Sequence, residues 1–205
     1  MQNHVSQNKQ AKVEIYLTLA EFFKFPTEDF YQDVMNGTVD QLLVEMAKEA
    51  NYTKPTVQLK GRFPNFSEMK QTYMRCFMGV IKPYAPPIES VYKVWTTDPT
   101  AGLSIAKSKG YLFGDAALHI RHLFEQFHLE IPDDYAKMPD HLTLLLEFLA
   151  FLIKETSEEH VNQFVADHLD WLEDFKHELL KVNDSSFYID VTDIIISFIN
   201  NEKRP

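Results

Sequence analysis

Eight histidines among 205 residues invite a metal reading, so ligand spacing is the first thing to test. No His-Glu-x-x-His occurs. Glu125 and His128 form one Glu-x-x-His, but a di-iron bundle needs that motif on two helices plus two further carboxylates, and Asp174 with His177 is a poor second copy. His119 and His122 fall on one helical face beside Arg121, a pattern that surface or half-buried histidines also produce. Nucleophilic and phosphate chemistry lack a motif as well: there is no Gly-x-Ser-x-Gly, no glycine-rich phosphate loop and no Walker lysine. Cys76 lies among apolar residues and reads as a small core side chain. What remains is one carboxylate and one imidazole, Asp140 and His141, placed where an apolar run begins. As an N-cap, Asp140 would accept backbone N–H bonds worth about 1 kcal/mol. That leaves His141 and the long loop before it unexplained.

The element that must position this pair is Met138 to Leu152, whose apolar residues circle the whole helix surface instead of keeping to one stripe. Such a helix has to be covered on most sides, so it reads as the centre of an all-α domain. Around it, periodicity predicts a helix from about Gln10 to Phe25 and a short one capped by Thr27. A third is opened by a Thr38/Gln41 capping box and a fourth is capped by Ser67. Asp115 is expected to cap the helix carrying Ile120, Leu123, Phe124 and Phe127. Ser157 begins one further helix reaching Leu179, and Asp184 or Ser185 caps the last. The chain therefore divides into N-terminal helices (10–80), a Pro/Gly-rich hinge and loop (81–114) and a C-terminal helical bundle (115–200) within one domain of residues 1–205. The middle keeps its aromatics, Tyr84, Tyr92, Trp95, Tyr111 and Phe113, although its prolines deny regular helix. Ordered loops of that length are more often functional than bare linkers.

Composition narrows the partners. Thirty acidic against 20 basic side chains give a net charge of −10, which disfavours nucleic acid and anionic membrane and favours basic partners. A single cysteine cannot form an internal disulfide, and no stretch approaches the roughly 18 uninterrupted apolar residues of a membrane span. The N-terminus has neither the pattern of a signal peptide nor a twin arginine. A cytoplasmic protein with no metal or cofactor is expected.

Taken together the motifs are more specific than any one of them. Tyr73 to Tyr92, YMRCFMGVIKPYAPPIESVY, resembles the aromatic-x-x-Leu-Phe-x-Gly segment and following Pro-Pro-x-x-Ser-Val-aromatic of the TorD/DmsD family of redox-enzyme maturation chaperones, relatives of the NarJ-type nitrate reductase assembly proteins. Leu112 to Asp115 is similar to that family's entry into its next helix. Pro139-Asp140-His141-Leu142 resembles its Pro-x-Asp-His signature, and His168-Leu169 with Trp171 its His-Leu-x-x-Trp. Cys76 stands for the usual leucine and Ile88 for a frequent tryptophan, and Val94 to Lys109 looks like an insertion.

The resemblance implies a TorD-like helical bundle acting as a cytoplasmic chaperone, not an enzyme. It would bind the twin-arginine-type signal peptide and apo-form of a molybdenum-containing oxidoreductase until cofactor insertion, as a monomer or domain-swapped dimer. On that reading Tyr73, Phe77, Pro86, Pro87, Ser90, Tyr92 and Trp95 form one wall of an apolar groove and Pro139, Asp140 and His141 the other. Asp140, with Asp133 and Asp134, would face the arginines, while His141 fixes the groove edge. Two alternatives compete: a helical adaptor that binds a folded redox-enzyme subunit, and a metal- or nucleotide-dependent helical enzyme.

Overall fold

The computed structural model describes residues 2–79 and 81–202, with side chains from residue 7 onward. Among them ten α-helices run in order: α1 (Gln2–Glu21), α2 (Glu28–Asn36), α3 (Thr38–Glu49), α4 (Phe66–Phe77), α5 (Glu89–Tyr92), α6 (Asp115–Gln126), α7 (Leu142–Glu155), α8 (Glu158–His168), α9 (Leu172–Leu179) and α10 (Ser186–Glu202). The described residues contain no β-strand; a single bridge pairs Ile88 with His141.

α7 is the buried axis. Leu142, Leu144, Leu145, Leu146, Phe148, Leu149 and Leu152 are all at most 3% exposed, which is what an apolar helix without a polar face requires. Each such side chain contributes about 1.5–3 kcal/mol on burial. α1 lies along α7, and the Thr143 hydroxyl donates to the Ala20 carbonyl at their crossing. α6 and α8 cover the opposite flank, where Phe124 stacks on Phe148 and Phe164 leans against it. The one charged residue of α7's middle, Glu147, is half-buried and is held by Lys24 at 2.8 Å. A buried apolar cluster extends from Ala11 on α1 to Ile199 on α10.

Several helix starts differ from the sequence expectation, and in each case a neighbouring group competes better. Thr27 does cap α2, accepting from the Phe30 N–H. At α3, however, Gly37 occupies the cap with a left-handed φ of 91°, a conformation cheap only for glycine. Asn36 Oδ1 takes the Thr38 N–H, and Gln41 reaches forward to Glu45, so no capping box forms. Asn65, not Ser67, caps α4. Asp115 is the first residue inside α6, and its carboxylate accepts from Thr96 and Thr97 of the preceding loop. Ser185 Oγ donates to the Leu179 and Val182 carbonyls and ties down the end of α9. α1 ends at Glu21, leaving Phe22 and Phe23 buried in the turn beyond it.

The long helix expected from Ser157 to Leu179 is two helices, α8 and α9, broken at Leu169 to Trp171. No glycine or proline marks the break. One local and one tertiary contact hold it: the Trp171 indole N–H donates to the His168 carbonyl three residues back, and Lys93 pairs with Asp170. The 94–109 segment folds back on itself, with the Trp95 and Thr96 N–H groups donating to Ser108 and Ala106.

Candidate functional site

The two segments singled out by sequence, Pro86–Tyr92 and Pro139–Leu142, do meet, but they are sewn together and leave no groove between them. The Leu142 N–H donates to the Pro87 carbonyl at 2.8 Å and the Glu89 N–H to the Asp140 carbonyl at 3.1 Å. The Asp140 carboxylate accepts from the Ser90 N–H at 2.7 Å and so organises the first turn of α5. It is fully buried, with Oδ1 left without a partner. Burial raises its pKa, opposed by the Ser90 hydroxyl and N–H. A carboxylate so enclosed has no surface to offer an arginine. His141, not Asp140, is the N-cap of α7: its Nδ1 accepts from the Thr143 N–H at 3.2 Å while the ring packs against Tyr135. Burial lowers its pKa to about 4, which keeps Nδ1 an acceptor at neutral pH. Asp133 and Asp134 are exposed on a 3-10 turn before this corner.

The other expected groove residues separate by burial. Tyr73 and Phe77 are core: the Tyr73 hydroxyl donates to the Phe23 carbonyl, and Phe77 packs on Phe23, Phe175 and Tyr188. Ser90 and Pro139 are buried in the corner, and Pro87 contributes its carbonyl there. Trp95 is half-buried, donates to the Leu112 carbonyl and clamps the loop base; it lies outside the lining of the clefts described next. Pro86 and Tyr92 are the two that line an open cleft. Tyr92 stacks on Trp171 at 5.1 Å and donates its hydroxyl to the Pro86 carbonyl, and burial pushes its phenol well above the usual range.

That surface is a valley in two compartments. The first is a cleft of about 1110 Å³ with an apolar wall of Pro83, Tyr84, Pro86, Ile88, Val91, Tyr92 and Leu112, faced by Asp174, His177 and Glu178 of α9. The second, of about 670 Å³, continues past Tyr92, Lys109 and Asp174, which line both. Its carboxylates outnumber its lysines: Glu89, Asp115, Asp167, Asp170 and Asp174 against Lys93 and Lys109.

Beneath the second compartment lies a network that sequence reading did not anticipate. Glu89 is fully buried, yet it accepts from His168 Nδ1 at 2.9 Å and from Lys93 Nζ at 2.8 Å. Lys93 also reaches Asp170 at 2.7 Å, and His168 Nε2 shares a hydrogen bond with His119 at 2.8 Å. Burial alone would lower the Lys93 pKa, but Glu89 and Asp170 carry it above the ordinary value. Pairing of this kind offsets the cost of burying a charged carboxylate. The signal that could have found it is the Glu89/Lys93 i,i+4 spacing directly after the Pro-Pro turn. Among the described residues no group of three or more His, Cys, Asp or Glu side chains is arranged to hold a metal ion. No helix of the described residues is long and apolar enough to cross a membrane.

The sequence profile described as nitrate reductase delta subunit matches residues 32–182, from α2 to the end of α9 and across the whole valley. The chain belongs to the nitrate reductase delta subunit family. Within reach of that family it is 23% identical over 201 residues to the chaperone protein TorD of Shewanella piezotolerans, covering 94% of this chain and 91% of that one. It is 28% identical over 130 residues to a Haemophilus influenzae protein described as a Tat proofreading chaperone, DmsD, with 63% of this chain and 56% of the other covered. Its fold is shared with the crystal structure of an Archaeoglobus fulgidus protein described as a redox enzyme maturation protein: the TM-score is 0.52 at 18% identity, over 96% of this chain and 94% of that one. This nitrate reductase delta subunit family member is thus an all-helical chaperone of the TorD/DmsD kind and not an enzyme.

Proposed function

We propose that the chain binds the N-terminal, twin-arginine-type signal peptide of a molybdenum-containing oxidoreductase in the valley beside Tyr92, on the cytoplasmic side of the membrane, and holds the apo-enzyme back until its cofactor is inserted. The observation that carries this reading is the adjacency of an apolar cleft and an acid-rich one. A signal peptide joins a basic segment to an apolar stretch, and its receptor needs the same two surfaces side by side. Pro86, Ile88, Tyr92 and Leu112 receive the apolar stretch; Asp167, Asp170, Asp174 and Glu178 receive the arginines. Asp140 and His141 act from behind, by fixing the turn that carries Tyr92.

Calorimetric titration of a synthetic twin-arginine leader peptide tests it. The double substitution Asp174→Asn with Glu178→Gln should weaken binding by roughly three- to tenfold, since exposed charge pairs contribute up to about 1 kcal/mol each, with thermal stability unchanged. Replacing both peptide arginines by glutamine should cost at least as much. Unchanged affinity in both arms would sink the reading.

The adaptor alternative draws on a different observation: Leu103, Tyr111 and Leu118 are each at least 45% exposed on the loop before α6 and on α6 itself. Exposed apolar groups on neighbouring stretches of chain suit a folded partner. An isolated leader peptide that fails to bind while the folded oxidoreductase subunit does would favour it.

A further inference from the structure

Every carboxylate of the acid-rich compartment is already answered from within the chain. Glu89 has His168 and Lys93, and Asp170 has Lys93 as well. Asp115 accepts from Thr96 and Thr97, and Asp167 from Gln163. Asp174 is held by Lys109 at 2.9 Å. These partnerships are unequal. Lys93 bridges two carboxylates with only a quarter of its side chain exposed, and Glu89 beneath it is fully buried. Lys109 and Asp174 meet in the open, with side chains 57% and 59% exposed. Pairs of that kind are weak, because water solvates either member almost as well.

Position gives this weak pair its interest. Lys109 and Asp174 each line both the apolar cleft and the acid-rich compartment, a property they share only with Tyr92. Their tie thus crosses the junction of the two, from the loop before α6 to the first turn of α9. The loop backbone is anchored on either side of Lys109: the Ser108 carbonyl accepts from the Trp95 N–H, and the Gly110 N–H donates to the Val91 carbonyl. Only the long, flexible side chain is left to swing. Asp174 keeps its charge without the lysine, since a carboxylate in the first turn of a helix is favoured by the helix dipole. A peptide that runs from one compartment into the other passes the point where these two side chains meet.

We propose that the Lys109–Asp174 tie is an autoinhibitory latch: Lys109 stands in for a cation of the peptide and gives Asp174 up to an incoming arginine. This rests on the signal-peptide reading. The exchange replaces one ion pair with another, and the guanidinium brings a planar, two-pronged fork where the ammonium made a point contact. Opening the latch costs every ligand the same, and a ligand with no cation to put in the place of Lys109 recovers none of it.

A synthetic twin-arginine leader peptide is titrated calorimetrically against the full chain and four variants: Lys109→Met, Asp174→Asn, the two combined, and Lys107→Met. All three side chains are exposed, so circular dichroism should show the wild-type fold throughout. Lys109→Met should bind roughly two- to fivefold more tightly than the wild type, the range an exposed pair spans. Lys107→Met removes the same charge from the same loop, but Lys107 reaches only the Thr96 and Thr97 carbonyls, so it should gain much less. With Asp174→Asn already present, Lys109→Met should gain no more than Lys107→Met does. A gain that persists in that background, that Lys107→Met equals, or that never occurs overturns the latch alone, provided that replacing the peptide arginines by glutamine still weakens binding. Indifference to the arginines in every chain overturns the latch and the signal-peptide reading together.

Discussion

His141 shows how a residue can be conspicuous in sequence for one reason and placed in the fold for another. Its imidazole caps α7 in the neutral form, and burial lowers its pKa from the ordinary 6.5 to about 4. The unfolded chain therefore takes up a proton between those values before the folded one does. The stabilisation from the neutral ring is fully present above pH 6.5 and is lost as pH falls towards 4, on the order of 3 kcal/mol in all. His141→Asn keeps a cap acceptor without the titration, so its melting temperature should decline less steeply over that interval than the wild type's. Parallel pH profiles would show that the ring does not titrate with folding. Asp140 runs the other way: its raised pKa makes protonation favour the folded state, so its contribution improves as the medium becomes more acidic. The sequence marked both residues as important but could not show that they face inward. A polar pair at a helix start looks the same whether it meets water or a second backbone 50 residues distant.

At the level of elements, the helices themselves were legible, because apolar spacing is a local property. Their ends were less so. Thr38, Ser67 and Asp115 are all good cap residues, but Gly37 and Asn65 took two of the caps and the Thr96/Thr97 hydroxyls took the third side chain. The break between α8 and α9 was invisible, since it depends on Lys93 and on the Trp171 indole rather than on any helix breaker. Glu89 and His168 lie 79 residues apart, and the fold pairs them at the end of α8. The start of α6 offers a clean test. A Cβ on Gly114 would sit 2.5 Å from the Trp95 carbonyl oxygen, the same oxygen that accepts from the Asp115 N–H. Gly114→Ala should therefore cost about 1–3 kcal/mol in urea unfolding, as overpacked sites do. Wild-type stability in that variant would mean the loop does not press on α6.

The molecule as a whole carries a charge of −10, and the acid-rich compartment concentrates part of it over the valley proposed to receive a basic peptide. Peptide association should therefore slow as salt rises past physiological ionic strength, where the screening length is about 8 Å, while dissociation changes less. Stopped-flow rates across a salt series would reveal this; a salt-independent association rate would assign the binding to the apolar cleft alone. The valley also fixes a sequence of events in the life of the chain. Its apolar wall begins at Pro83, while the carboxylates opposite sit on α9, as late as Glu178. A chain emerging from a ribosome thus holds the apolar wall of the valley long before the acidic one, and the proposed peptide site is complete only once α9 has followed.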